Sequence, residues 1–324
     1  MGERAIDNPP DLWKETYDIV AQVPLGRLTT YGAVAEALGD IVASRFVGLA
    51  MSRNDDIVRV PCRRVVQSDG KIGGYTGGGP RKKIKLLREE GIEIAGSRIV
   101  GLERYMFRDF ETNRPLRALR KRQVLLKKHL DLRSLRRNPK RVAGIDVAYS
   151  DDHAFAAMVT FDYDSREELD RVVVEGDAEF PYVPTYLAFR EMPVIAPLLR
   201  TLDKDTVVMY DGNGIMHPEG FGIASQVGVV FDVPSIGVAK KLLCGSLSPS
   251  RDGRTTEVRL KDKLLGHAIQ GEKNRSPVYV SAGSGLSTRQ ATGITSRFLK
   301  FRVPEPTRIA HIVAEAARRG TSHK

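Results

Sequence analysis

The amino-acid sequence predicts an α/β protein of about two domains, a mostly helical first part and a second part in which strands mix with helices. Its 324 residues are long for one domain, and a hydrophobic fraction of 41% is sufficient for real cores. Apolar residues recur at helical spacing over roughly the first 105 residues. From Arg141 onwards, short apolar runs typical of strands appear between helical stretches.

The first part contains a series of predicted helices. Pro9, Pro10 and Asp11 precede an apolar-periodic stretch, which is typical of a helix start. Gly39 separates the second helix from the third and predicts a helix-turn-helix, and Gly91 follows the last helix as a glycine C-cap. The predicted helices cover residues 12–20, 29–38, 44–51 and 80–90.

A basic connector spans residues 114–141. It contains twelve Lys and Arg residues, and Asp131 is its one acidic residue. Leucines at helical spacing predict that part of it is a packed helix. The charges are either a solvated helix face or a surface that contacts phosphates without reading sequence. Beyond it, the predicted strands cover residues 141–148, 154–163, 169–175, 206–210 and 235–238, and the predicted helices cover residues 184–199 and 221–227.

The composition of the chain indicates which binding partner, which cysteine chemistry and which location are expected. The net charge of +11 favours a polyanion, most simply nucleic acid. With Cys62 and Cys244 as the two cysteines, no disulfide framework or cysteine-rich zinc site is expected. We see neither an apolar run long enough to cross a membrane nor a signal-peptide core, so we expect a cytoplasmic, nucleoid-associated protein.

Three carboxylates carry the strongest chemical signal. Asp146 and Asp211 each end an apolar run, and Glu191 lies in a helix-like stretch. A carboxylate at the tip of a buried strand is unfavourable unless a positive group binds it, and hard divalent cations prefer oxygen ligands. Singly, each acid also suits a turn or a helix surface. Together, in a basic chain, they indicate metal-assisted cleavage of a phosphodiester.

Eight segments in the second part resemble endonuclease V, the deoxyinosine-specific repair nuclease, in composition and order. The segments are 142–146, 180–184, 187–191, 211–214, 217–218, 222–225, 236–240 and 304–311. The resemblance implies an RNase H-like fold, with Asp146, Glu191 and Asp211 as ligands of Mg²⁺ or Mn²⁺. Lys240 would neutralise phosphate charge. The implied reaction is a nick in double-stranded DNA 3′ of deoxyinosine.

The same resemblance assigns residues that read the lesion. A stiff loop would fill the gap that a displaced base leaves, and the backbone at Gly212 and Gly214 would approach the flipped hypoxanthine closely. The loop consists of Pro181, Tyr182, Val183 and Pro184. Alternatively, this loop is an ordinary strand-to-helix connector with a core tyrosine. Thr185 replaces an expected glycine, and Ser284 replaces a family histidine that lies close to the metal.

The first part resembles the DNA-binding, active-site domain of O6-alkylguanine-DNA alkyltransferases, because a Pro-Cys-x-Arg-Val core follows a helix-turn-helix. The matching segments are 23–32, 44–51, 54, 60–66, 70, 74–78 and 90–91. The resemblance makes Cys62 the alkyl acceptor and Arg45 the finger that replaces a flipped guanine. The remaining DNA- or lesion-binding residues that it implies are Tyr31, Asn54, Arg64 and Tyr75.

The residue after the cysteine departs from the family. A histidine normally relays the thiol proton towards a glutamate, here matched by Glu90, but this chain has Arg63. Arginine does not give up its proton, so it cannot be that base. Cys62 is therefore a slow acceptor, or the domain is a non-transferring lesion sensor that recruits the nuclease, or Cys62 is a small buried residue.

The sequence thus predicts a bifunctional repair protein. Its predicted parts are an alkyltransferase-type domain (1–108), a basic connector that begins the nuclease domain (109–140) and an endonuclease V domain (141–324). The expected partner is double-stranded DNA with deoxyinosine or O6-alkylguanine. No membrane is expected, and the sequence leaves protein partners open. A helix-turn-helix regulator is a weaker alternative.

Overall fold

The computed structural model describes residues 9–248, 254–271 and 276–321. The chain folds into two compact units. The N-terminal unit comprises Pro10–Arg122 together with Phe180–Pro184. The C-terminal unit comprises Gln123–Glu179 and the described residues from Thr185 onwards. The domain limits at residues 108 and 140 stay a prediction.

The N-terminal unit is mostly helical, as predicted, and local capping residues fix the ends of its helices. The side chain of Asp11 accepts a hydrogen bond from the Lys14 amide and begins the first helix. Gly39 ends the second helix in the left-handed conformation, at φ 108°. Gly91 follows the fourth helix at φ 82°. The helices are α1 (Leu12–Ala21), α2 (Tyr31–Leu38), α3 (Ser44–Arg53) and α4 (Gly79–Glu89).

Two short strands tie the helix-turn-helix to the cysteine segment. The strand β1 (Thr29–Thr30) leads into α2, and β2 (Val65–Val66) follows a 3-10 turn over Cys62–Arg64. β1 and β2 pair in parallel, Thr29 beside Val65. The start of α2 is therefore held against the segment that carries Cys62. A small antiparallel pair, β3 (Ile94–Ala95) and β4 (Arg98–Ile99), completes this unit.

The basic connector is helical in its first half. The helix α5 (Pro115–Lys127) contains the boundary between the two units. Leu116 and Leu119 of this helix are buried, as the leucine spacing predicts. Residues 128–140 form turns and irregular structure before the next strand.

The C-terminal unit is built on a mixed sheet, in which the described residues form nine strands. The strand β5 pairs antiparallel with β6 and parallel with β8, and β9 is parallel to β8. The order across the sheet is β10-β11-β12-β13-β9-β8-β5-β6-β7. The strands are β5 (Arg141–Ser150), β6 (His153–Asp162), β7 (Glu168–Asp177), β8 (Thr206–Asp211), β9 (Ser235–Ala239), β10 (Ser246–Leu247), β11 (Thr255–Leu260), β12 (Lys263–Ile269) and β13 (Val278–Ala282).

Helices cover both faces of this sheet, so alternate residues of its strands enter two cores. Ala143 and Ile145 of β5 pack on the face of α6 (Leu187–Arg200) and α7 (Ile223–Phe231). Val142 packs on the opposite face, with α8 (Thr288–Arg297) and α9 (Glu305–Thr321). This arrangement is the RNase H-like fold.

Some elements differ from the sequence prediction. The helix predicted from residue 184 begins at Leu187, because Thr185 has a φ of 68° and cannot be helical. β10 to β13, α8 and α9 lie in a region for which no element was predicted. Within the described ranges, none of the helices combines the length and the apolar character that a membrane crossing requires.

Candidate active sites

The first site lies where α9 crosses β5. At Gly144 an added Cβ would come within 2.1 Å of the carbonyl carbon of Pro306, so the helix rests directly on the strand backbone. His311 follows in α9, and Asp146 follows Gly144 on the same face of β5. Nδ1 of His311 lies 2.6 Å from Oδ2 of Asp146. Close packing at a glycine therefore places a histidine on a partly buried carboxylate.

Asp211 lies beside Asp146 because their strands are neighbours. Ile145 of β5 is in register with Tyr210 of β8, and the two aspartates are the next residues along. Asp211 also shares its face of the sheet with Val207 and Met209, which pack in the core under α8 and α9. Nζ of Lys240, just beyond β9, lies 2.5 Å from Oδ2 of Asp211.

Glu191 reaches the same region from α6. The hydroxyl of Tyr149 donates to Oε1 of Glu191 at 3.0 Å, and the hydroxyl of Tyr210 donates to Oε2. Burial, helped by the charges of Asp146 and Asp211, raises the pKa of Glu191 to about 7, although the two tyrosine hydrogen bonds oppose the rise. Arg190 stacks on the Tyr149 ring, with its Cζ 4.4 Å from the ring centre.

The two aspartates form an electrostatically strained pair. Burial raises the pKa of Asp146, and the charge of Asp211 raises it further, while His311 and Lys240 oppose the rise. Such clustered carboxylates fit a hard cation, which would relieve their mutual repulsion. In the described ranges, however, no three His, Cys, Asp or Glu side chains stand close enough together to form a ligand set. The donor chemistry of Asp146 and Asp211 fits a divalent ion, and Glu191 would have to come closer to them to act as a third ligand.

The structure also shows the positions of Ser284, which departs from the family pattern, and of the predicted glycines Gly212 and Gly214. Ser284 is buried, and its hydroxyl accepts from the amide of Asp131 at 3.2 Å, so it serves packing within the chain. At Gly214 a Cβ would lie 2.1 Å from the carbonyl oxygen of Ala282, and this packing alone requires glycine. A Cβ at Gly212 would meet the Ile223 side chain at 2.7 Å.

The predicted wedge loop exposes its aromatic ring. Tyr182 is 64% exposed, whereas Pro181 and Val183 are buried and Pro184 is half-buried. Buried flanks anchor the loop, and the outward ring is available for stacking on a base. The tyrosine is therefore not a core residue, which was the alternative interpretation of this loop.

The second site is a cavity of about 360 Å³ in the N-terminal unit. Cys62, Tyr31 and Tyr75, predicted from three separate segments, all line it. The Cys62 thiol is nearly buried, and its sulfur lies 3.9 Å from the hydroxyl oxygen of Thr76. Gly48 of α3 also lines the cavity. Because glycine has no side chain, it leaves the cavity open at this point.

Glu90 pairs with two arginines and not with the histidine that the family's proton relay uses. Its Oε1 accepts from Nε of Arg63 at 2.6 Å, and its Oε2 accepts from Nε of Arg64 at 2.7 Å. Burial alone would raise the pKa of Glu90, but the two arginines hold it below its ordinary value. Arg64, predicted among the DNA-contacting residues, is instead buried and also donates to the Val23 carbonyl at 2.7 Å.

Two further predicted residues have clear positions. Arg45 is exposed near the start of α3, the second helix of the helix-turn-helix. Nδ2 of the buried Asn54 donates to the Val60 carbonyl at 3.0 Å, which orders the turn between α3 and Cys62.

Sequence reasoning missed three residues of the first site. His311 ends one of the eight matching segments, and that position was the available signal for it. Tyr149 and Tyr210 offered no signal, because a tyrosine in an apolar strand is indistinguishable from a core residue.

Comparisons with known proteins find a matching family for each of two parts of the chain. Residues 124–312 match the Endonuclease V family, and residues 11–92 match the 6-O-methylguanine DNA methyltransferase DNA-binding domain. A bifunctional methyltransferase/endonuclease of Picrophilus torridus is 38% identical over 95% of this chain and 97% of its own length. The protein of that description from Thermoplasma volcanium is 33% identical over 93% of this chain and 88% of its own.

Solved structures resemble the C-terminal unit. The Streptomyces avermitilis endonuclease V has a TM-score of 0.59 and 32% identity, covering 63% of this chain and 93% of that one. A Ciona intestinalis endonuclease V, solved with DNA containing an inosine followed by a ribo-adenosine, has a TM-score of 0.58 and 26% identity, covering 64% and 98%.

An RNase H-like domain with clustered acids, joined to a cysteine-bearing DNA-binding domain, defines a DNA repair endonuclease with a second, methyltransferase-type part. The chain belongs to the endonuclease V family and has the two-domain composition of the bifunctional methyltransferase/endonucleases. The endonuclease V family is generally metal-dependent.

Proposed function

We propose that the C-terminal unit nicks double-stranded DNA 3′ of deoxyinosine, with Asp146, Glu191 and Asp211 holding Mg²⁺ or Mn²⁺. The single observation that carries this proposal is the adjacent, partly buried pair of Asp146 and Asp211 on the neighbouring strands β5 and β8. A divalent ion there would polarise the phosphoryl oxygen and lower the pKa of bound water.

The side chains around the pair have separate tasks. Lys240 offers an ammonium group beside Asp211, where it can neutralise a phosphate oxygen. Nδ1 of His311 holds or releases a proton at Oδ2 of Asp146. Tyr149 and Tyr210 orient both oxygens of Glu191. Tyr182 stacks where the flipped base leaves the duplex.

Carboxylate variants test the nuclease proposal. Asp146→Ala and Asp211→Ala should each reduce Mg²⁺-dependent nicking of inosine DNA by about a thousandfold, since a catalytic metal supplies several kcal/mol. Binding of inosine DNA should persist. Asp164→Ala, at an exposed hairpin turn, is the matched control. Normal nicking by either of the first two variants would reject the metal assignment.

For the N-terminal unit, we propose recognition of O6-alkylguanine and transfer of the alkyl group to Cys62. The cavity that joins Cys62 to Tyr31 and Tyr75 supports this activity. The sulfur would form a bond to the alkyl carbon as the carbon–O6 bond breaks, and the guanine would keep the electron pair and take up a proton from water.

A second candidate is a lesion sensor without transfer. The ion pairs of Glu90 favour it, because they leave this carboxylate engaged by Arg63 and Arg64. Labelled O6-methylguanine DNA separates the two candidates. Transfer to the wild type but not to Cys62→Ser supports the enzyme, whereas binding without transfer, in a preparation that nicks inosine DNA, supports the sensor.

A further inference from the structure

Lys240 lies just beyond the end of β9, where the strand pairing stops. On one side of β9, the last pair joins Ala239 to Tyr279 of β13. On the other side, the last pair joins Val238 to Asp211 of β8. The backbone of Lys240 follows both pairs, yet its ammonium group has to stay beside Asp211 to neutralise a phosphate oxygen. A contact from outside the sheet would hold it there.

Arg302 makes such a contact from the connection between α8 and α9. Its Nη2 donates to the Lys240 carbonyl at 3.0 Å. Its Nε–H is buried and has no acceptor, and among the described residues no carboxylate forms an ion pair with this guanidinium. Burial of an unpaired donor costs stability. The position of Arg302 is therefore better explained by a functional role than by stabilisation of the fold.

The chain is anchored on both sides of Arg302. Val303 packs against the core under α8 and α9. The Phe301 ring lies under the guanidinium of Arg308, whose Cζ is 4.8 Å from the ring centre. A Cβ at Gly271 would come within 2.6 Å of the Phe301 carbonyl oxygen, so the backbone is closely packed here as well. These contacts fix the point from which Arg302 reaches Lys240.

We propose that Arg302 is a positioning residue, which holds Lys240 in place for the nuclease reaction through its backbone carbonyl. The inference rests on the proposed nicking of inosine DNA. Nζ of Lys240 lies 2.5 Å from Oδ2 of Asp211, and a shift of the backbone would carry it away from the phosphate oxygen that it neutralises. A misplacement of about 1 Å can cost about a hundredfold in rate. Arg302 thus acts through Lys240.

A double-mutant cycle in the full-length protein tests this role. Single-turnover nicking of inosine DNA is measured with excess protein for Arg302→Met, Lys240→Met and the double variant. Arg302→Met alone should nick about tenfold more slowly. In the Lys240→Met background, the same change should alter the rate by less than about twofold. Equal losses in both backgrounds overturn the proposal, because Arg302 would then act independently of Lys240, for example on a phosphate directly.

Arg297→Met is the matched control. The guanidinium of Arg297 also donates to backbone carbonyls, at 2.8 Å to Tyr163 and at 2.7 Å to Asp164, but these lie at the hairpin between β6 and β7. This variant should nick like the wild type. If it loses as much activity as Arg302→Met, loss of any such arginine contact slows the reaction, and the specific role of Arg302 is refuted.

Amide hydrogen exchange gives a readout that does not depend on activity. In EDTA, peptides that cover residues 240–243 should exchange faster in Arg302→Met than in the wild type or in Arg297→Met, because the chain after β9 has lost the contact that fixes it. Unchanged exchange in these peptides overturns the proposal.

Arg302→Lys takes the place of Arg302→Met if the latter does not fold. Its amine keeps the positive charge but ends one bond short of Nη2, so the contact with the Lys240 carbonyl should weaken. The rate should fall by a smaller factor, again only when Lys240 is present. A normal rate in this variant, or an equal loss in both backgrounds, overturns the proposal.

The same preparations separate this inference from the function on which it rests. Nicking by the wild type together with independent losses in the cycle removes the role of Arg302 and keeps the proposed function. Faster exchange in Arg302→Met, in a wild type that does not nick inosine DNA, removes the proposed function and keeps the contact that holds Lys240.

Discussion

Replacing Gly144 by alanine should separate α9 from β5 and disturb the nuclease site. The new methyl group would lie 2.1 Å from the Pro306 carbonyl carbon and 2.5 Å from the Thr307 amide nitrogen. Both are backbone atoms, so the whole helix must shift to relieve the clash. Overpacking of this kind costs about 1 to 3 kcal/mol. For a unit of this size, the expected loss in Tm is about 2 to 12 °C.

The same shift of α9 should lower the nicking rate by more than the loss of folded protein alone would explain. His311 lies in the helix that moves, and its contact with Asp146 is only 2.6 Å long. A misplacement of about 1 Å can cost about a hundredfold in rate. We therefore expect nicking of inosine DNA, measured well below the Tm, to fall by at least about tenfold.

Gly176→Ala provides the matched control for Gly144→Ala. Gly176 also lies in a strand, but nothing stands within 4 Å of its added Cβ. Scanning calorimetry and single-turnover nicking are measured for both variants. If Gly144→Ala melts and nicks like Gly176→Ala, close contact between α9 and β5 does not position His311, and the reasoning fails.

Three other changes test separate features. Because the folded pKa of Glu191 is raised to about 7, its ionisation destabilises the folded protein, a cost that is absent at low pH and complete above about pH 7. In EDTA, Glu191→Gln should gain Tm over the wild type as pH rises from about 5 to about 8; a constant difference would contradict this. Tyr182→Ala should weaken binding to inosine DNA by about 1 to 3 kcal/mol without lowering the Tm, since its ring is exposed, and equal affinity in a titration would exclude stacking. Ser284→Ala should cost about 1 to 3 kcal/mol by leaving the Asp131 amide without its acceptor, with an unchanged Mg²⁺ requirement; an altered requirement would place Ser284 in the site after all.

Much of the local structure was predictable from the sequence. The helix start at Asp11 and the glycine ends at Gly39 and Gly91 depend on neighbouring residues alone, and all three are confirmed. The hairpin between β6 and β7 lies where the predicted strands 154–163 and 169–175 leave a short turn, and Asp162 accepts from two amides of that turn. The start of α6 was misplaced, because a threonine does not itself indicate the left-handed conformation that Thr185 adopts; the glycine expected there by resemblance was the available signal.

The cavity residues Tyr31, Cys62 and Tyr75 were also predictable, though only through family resemblance. The same resemblance suggested a proton relay that ends at Glu90. In the structure this carboxylate holds two arginines, because the substitution at position 63 changed its partner.

The sequence by itself determined which residues could carry the chemistry: carboxylates that follow apolar runs, a cysteine after proline and an excess of positive charge. Tertiary structure decided which of these groups meet. Asp146 and His311 are 165 positions apart, and the packing of α9 on β5, with its close approach at Gly144, brings them together. Lys83 looks like any helix lysine until packing removes it from water. Local patterns arise from backbone geometry over a few residues, whereas charge, burial and pKa depend on the distant segments that fold around each side chain.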